Sequence, residues 1–71
     1  MSPDKMIRMA NQIATFFRSQ PGDTAGSVAA HLGDFWEPRM RRQLADHVAD
    51  GGAGLDPEVI EAVRLMADPG L

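Results

Sequence analysis

Few side chains in this sequence have chemistry to offer. His31 and His47 are the two imidazoles, and each has carboxylates within helical reach: Asp34 three residues after His31, and Asp46 and Asp50 around His47. Histidine with carboxylate is the donor set of a transition-metal site, or the base of a nucleophilic pair. Both chemistries need more than is present. A catalytic pair needs a nucleophile in a concave pocket, and a chain of 71 residues has hardly enough walls for one. There is no cysteine to ligate a cluster, no Gly-rich phosphate loop and no Gly-x-Ser-x-Gly turn. Partly exposed helix histidines are the reading the residues favour over a metal site, and a non-catalytic chain over an enzyme.

Three other features go beyond the ordinary. Arg39, Arg41 and Arg42 crowd four positions just after Pro38. Cations in the first turn of a helix oppose its macrodipole. They are a solvated face with local pairs such as Arg42–Asp46 at i, i+4, or planar forks for carboxylates on a partner, or a contact to nucleic acid. The second feature is Phe35-Trp36, two adjacent large aromatics. They either fold back as a core plug or anchor another protein, and Trp and Arg are the types most enriched at interface hot spots. The third is the segment around Met6, Met9, Phe16 and Phe17, which offers more apolar surface than three short helices easily cover. Methionine-rich faces are usually core, but they also suit adaptable contacts. Asn11 and Gln12 interrupt that segment with amides able to satisfy a partner's backbone, or simply exposed to water. Met40 lies inside the arginine group, on the apolar side of its helix.

The elements that must hold these residues are punctuated by proline, which suits the first helical position and disrupts an interior. Ser2 caps a helix over 3–19 with Asp4 in its first turn; Met6, Met9, Ala10, Ile13, Phe16 and Phe17 follow its period, with Ile7 and Ala14 on a second stripe. Gln20-Pro21-Gly22-Asp23 reads as a turn. A second helix spans 24–32, capped by Asp23 and stopped near Gly33, with Ala25, Val28, Ala29 and Leu32 inward. Asp34 to Glu37 is then a connection, since the residue before a proline avoids the helical region. A third helix spans 38–50, with Met40, Leu44, Ala45 and Val48 inward, and Gly51-Gly52 ends it. Asp56 caps a fourth over 57–67, and Pro69 follows its end. No strand-like alternation occurs. The fold class is all-α, a small bundle of three to four short helices in a single domain over 1–71.

Composition agrees with a partner-dependent protein. So small a chain hides only about 60% of its unfolded surface on folding. Seven basic against ten acidic residues give a net charge of −3, which argues against a free-standing nucleic-acid binder. Hydrophobic residues at 44% with 24% charged exclude a disordered acidic tail. No apolar run approaches the roughly 20 residues that span a bilayer, so no membrane partner is expected. Met1-Ser2-Pro3-Asp4-Lys5 has no basic stretch leading into an apolar one, so no secretory signal is expected and the location is cytoplasmic.

Several segments resemble a known family. Met9-Ala10-Asn11-Gln12-Ile13-Ala14 with Phe16-Phe17 is similar to the opening of the delta subunit of NAD-dependent, molybdenum- or tungsten-containing formate dehydrogenases. The likeness continues through Val28-Ala29-Ala30-His31-Leu32 and Phe35-Trp36-Glu37-Pro38-Arg39-Met40-Arg41, the most specific string. It closes with Gly54-Leu55-Asp56-Pro57 and Glu61-Ala62-Val63, so it covers nearly the whole chain.

The resemblance implies a chain without a cofactor of its own. In such enzymes a bis-pyranopterin molybdenum or tungsten centre sits in the alpha subunit, and iron–sulfur clusters, FMN and NAD serve the beta and gamma subunits. The implied role is assembly, stabilisation or cofactor retention by docking on alpha. Met9, Asn11, Gln12, Ile13, Phe16, Phe17, Phe35, Trp36, Pro38, Arg39, Met40 and Arg42 are the expected partner-binding residues. Trp36→Ala is expected to release the subunit at a cost of about 2 kcal/mol or more. A transient chaperone for cofactor insertion and a free helical regulator stay open as alternatives, as does homodimerisation in isolation.

Overall fold

The structure, a computed structural model, describes residues 2–67. Four helices follow one another: α1 (Pro3–Arg18), α2 (Thr24–Phe35), α3 (Pro38–Ala49) and α4 (Pro57–Ala67), with no strand among the described residues. Pro69, expected to follow the last helix, lies outside those residues.

The local signals act much as their chemistry dictates. Ser2 Oγ accepts from Lys5 N at 3.2 Å and Asp4 sits in the first turn of α1. Pro3, Pro38 and Pro57 each open a helix. α3 ends at Ala49, where Gly51 and Gly52 take φ of 117° and 67° and Gly52 N donates to the His47 carbonyl at 2.9 Å. Gly52 is buried with a left-handed backbone that favours glycine, and a Cβ there would press on Ile60 Cδ1 at 3.0 Å.

Two expectations about α2 are corrected. The helix does not stop near Gly33; it continues to Phe35, and Trp36 N still donates to the Leu32 carbonyl at 3.1 Å. A glycine costs a helix about 1 kcal/mol relative to alanine, and burying Leu32 and Trp36 on either side of it outweighs that. The terminator is Pro38, which forces Glu37 into extended backbone at ψ 151°. Asp23 does occupy the N-cap position, but its carboxylate makes no capping hydrogen bond. It lies over the first turn instead, so close to Gly26 that a Cβ there would meet Asp23 Oδ2 at 2.6 Å.

α2 packs chiefly on α4, and α1 lies across both, while α3 leans on α4. The core gathers Met6, Ala10 and Ala14 from α1 with Val28, Leu32, Trp36, Leu44, Leu55, Val59, Ala62 and Val63. On α1 the fully covered line is therefore 6–10–14, at i, i+4, i+8, and two of its three members are alanines. Small side chains let the helices approach closely. They also leave the bulkier line Met9, Ile13, Phe16 and Phe17 on the shoulder of the helix, partly buried or exposed.

Candidate functional site

That shoulder forms one wall of an open groove of about 350 Å³, lined by Met9, Gln12, Ile13, Phe16 and Phe17 from α1 with His31 and Trp36. Positions 9, 13 and 16 share a helix face by period. Trp36, one residue past α2, is only 7% exposed and belongs to the core. Aromatic rings run in a row along the site. Phe16 and Phe17 meet edge to face at 5.1 Å, Phe17 meets His31 at 5.9 Å, and His31 lies against Phe35 at 4.7 Å. The outer members stand in water: Phe16 is 60% exposed and Phe35 72%. Of the adjacent pair Phe35-Trp36, Trp36 turns inward into the core and Phe35 outward into water.

Of the twelve expected partner-binding residues, Met9, Gln12, Ile13, Phe16, Phe17 and Trp36 come together in the groove, and Phe35 joins them through His31. The other five do not. Pro38 and Arg42 line a different cavity, between α2, α3 and α4. Arg39 is exposed, and Met40 is half-buried against the core. Among the described residues Arg42 makes no ion pair with Asp46, one of the pairings its spacing allows. Asn11 faces the chain itself. Its Nδ2 donates to the Gly54 carbonyl at 2.9 Å and its Oδ1 accepts from Asp56 N at 2.9 Å, so the amide binds the α3–α4 loop.

The same loop is fastened from two more directions, neither foreseen. His47 Nε2 donates to the Ala53 carbonyl at 2.8 Å, a carbonyl being able only to accept. Arg18, in the last turn of α1, forks onto Glu58 (Nε to Oε2 2.7 Å, Nη2 to Oε1 3.0 Å) and reaches Asp56 Oδ2 at 3.1 Å. Hydrogen bonds to Glu58 and then Asp56 raise the Arg18 pKa further above its ordinary value, and the Arg18 bond lowers that of Glu58. Each charge also suits its helix end, the cation at a C-terminus and the carboxylate at an N-terminus. Contacts spanning some 40 residues leave no local signal; the His31–Phe35 contact does, being an i, i+4 pair.

The groove offers one amide, one imidazole and no cation, so it does not fit a metal ion or the pyrophosphate of a dinucleotide. Among the described residues no three His, Cys, Asp or Glu side chains cluster as metal ligands, and no helix is long and apolar enough to cross a membrane. Fold and site together define a small all-helical protein carrying an open aromatic groove. The profile of the NADH-dependent formate dehydrogenase delta subunit, FdsD, matches residues 5–63, from the first turn of α1 into α4. The chain belongs to that delta-subunit family. Comparison with curated proteins finds no match.

Proposed function

We propose that this chain is a non-catalytic accessory subunit of a soluble, cytoplasmic NAD-dependent formate dehydrogenase, docking through the aromatic groove on the large molybdopterin subunit. The observation that carries the reading is the Phe16–Phe17–His31–Phe35 row, exposed at both ends on a protein too small to hide it. Aromatic side chains in a shallow groove are the usual anchors of a protein interface. A standard interface takes about 800 Å² from each partner, roughly a sixth of the 4650 Å² that this chain exposes. In this reading the exposed Arg39 orients the partner more than it adds affinity. The subunit supports assembly, stability or cofactor retention by binding the assembled form, which it then stabilises by mass action. The pterin metal centre, iron–sulfur clusters, flavin and NAD belong to the other subunits in this reading.

Native purification of a tagged chain from its own cells, with mass spectrometry and metal analysis, tests it. The expected result is the large subunit with its metal, and the iron–sulfur and flavin subunits, in equal copies with this chain. Recovery of a cofactor-free large subunit alone would replace the permanent subunit by a transient chaperone. A chain eluting alone or as a homodimer would overturn both.

A further inference from the structure

Resting on the accessory-subunit reading, we infer that the cavity between α2, α3 and α4 is a second docking point, and that its occupant is a partner-subunit segment presenting an apolar side chain flanked by carboxylates. The cavity measures about 280 Å³ and has an apolar floor from Leu32, Leu44 and Val63. Arg41 and Arg42 also line it. Arg41 is half-buried, and its Nε is fully covered with no hydrogen-bond acceptor. Buried donors are nearly always satisfied, so a covered Nε without an acceptor leaves the Arg41 charge under-compensated beside the cavity.

Charge says which acceptor. The first turns of α1 and α4 carry Asp4 and Glu58, whereas those of α2 and α3 have no acid and no side-chain cap; only α3 adds cations there. Three arginines stand there instead, and the ion pairs among the described residues use Arg18 alone. A carboxylate would answer both the cations and the uncapped helix end. The apolar floor favours a protein side chain over a phosphate backbone. A second copy is the poorer occupant, because it brings the same arginines and a net charge of −3.

The experiment uses the isolated chain and the formate dehydrogenase complex depleted of it. Rebinding is measured across a salt series for wild type, Arg42→Glu, Arg41→Gln and Phe16→Ala, each checked for helicity. Arg42 is exposed, so its reversal spares the fold if Arg41→Gln does not. We expect Arg42→Glu to weaken rebinding by about tenfold or more and to flatten the salt dependence. In Arg42→Lys, zero-length carbodiimide coupling should join position 42 to a partner aspartate or glutamate. Unchanged rebinding by Arg42→Glu, with Phe16→Ala impaired, overturns this inference and leaves the groove reading standing. Wild type that fails to rebind overturns both. Coupling from position 42 to residues 68–71 of the same chain, or to a second copy, assigns the cavity another occupant and also overturns it.

Discussion

The two flanks of α1 are built on opposite principles. Towards the α3–α4 loop the helix presents Asn11 and Arg18, whose polar groups bond to Gly54, Asp56 and Glu58. Towards α2 it presents Met9, Ile13, Phe16 and Phe17, packed on one another and on His31 but open to water along one side. The first flank is directional: each donor meets a particular acceptor, which fixes where a glycine-rich loop must lie. The second is non-directional and incomplete, since apolar surface gains simply by leaving water, whatever covers it. So small a bundle has one alanine-lined seam to bury, and what lies beside the seam is left over. Stability is concentrated on one flank and in the seam, and surface suited to binding on the other.

The sharpest test of that contrast lies in two adjacent residues. Trp36→Ala removes a core side chain and should destabilise the fold by about 3 kcal/mol or more, a large fraction of the total for any small domain. Phe35→Ala should change stability by no more than about 0.5 kcal/mol, yet weaken rebinding to the depleted complex by about tenfold or more. Urea unfolding and a rebinding assay on the same two variants settle it. Equal losses of stability would erase the distinction between the buried seam and the open groove. Burial of Trp36 adds a cost in folding to the expected release of the subunit by Trp36→Ala.

The sequence announces its helices and hides its long-range contacts. Proline at the first helical position, serine at a cap and paired glycines at an end act within a few residues, so three of the four helices begin and end within one residue of expectation. α2 overran because Gly33 is a weak local signal against burial of Leu32 and Trp36. The groove was half legible: periodicity places Met9, Ile13 and Phe16 on one face, but whether another helix covers that face is a matter of tertiary packing. The loop contact of Asn11 is hidden for the same reason. An amide on a helix looks alike from sequence whether its partner is a neighbouring subunit or a loop 43 residues away.

On the polar flank, Asn11→Ala strands the Gly54 carbonyl and the Asp56 N–H, the latter partly buried. An orphaned buried group costs about 1–3 kcal/mol, and the loss should register in urea unfolding with faster hydrogen exchange at Asp56. Gln12→Ala, one position on and facing the groove, should stay within about 0.5 kcal/mol. Equal effects from the two would mean that the loop is held by Leu55 and the glycine turn without the amide, and the directional account of this flank would fail.

The smallest effect concerns the Arg18 fork. Glu58 is held below its ordinary carboxylate range by Arg18, so as pH falls the unfolded chain takes up that proton first. The stability from Glu58 is therefore complete above the ordinary value, about 4.3, and is lost as pH falls through the lower folded value. Both partners are exposed enough for solvent and salt to screen the pair, so the gain is slight. Melting temperature followed from about pH 6 down to pH 3 should fall less steeply in Glu58→Gln than in wild type, and Arg18→Gln should flatten it likewise. Added salt should bring the wild-type curve towards both. If Glu58→Gln leaves the acid limb unchanged, the fork only positions the loop and adds nothing to stability, and Asn11 alone would carry the directional flank.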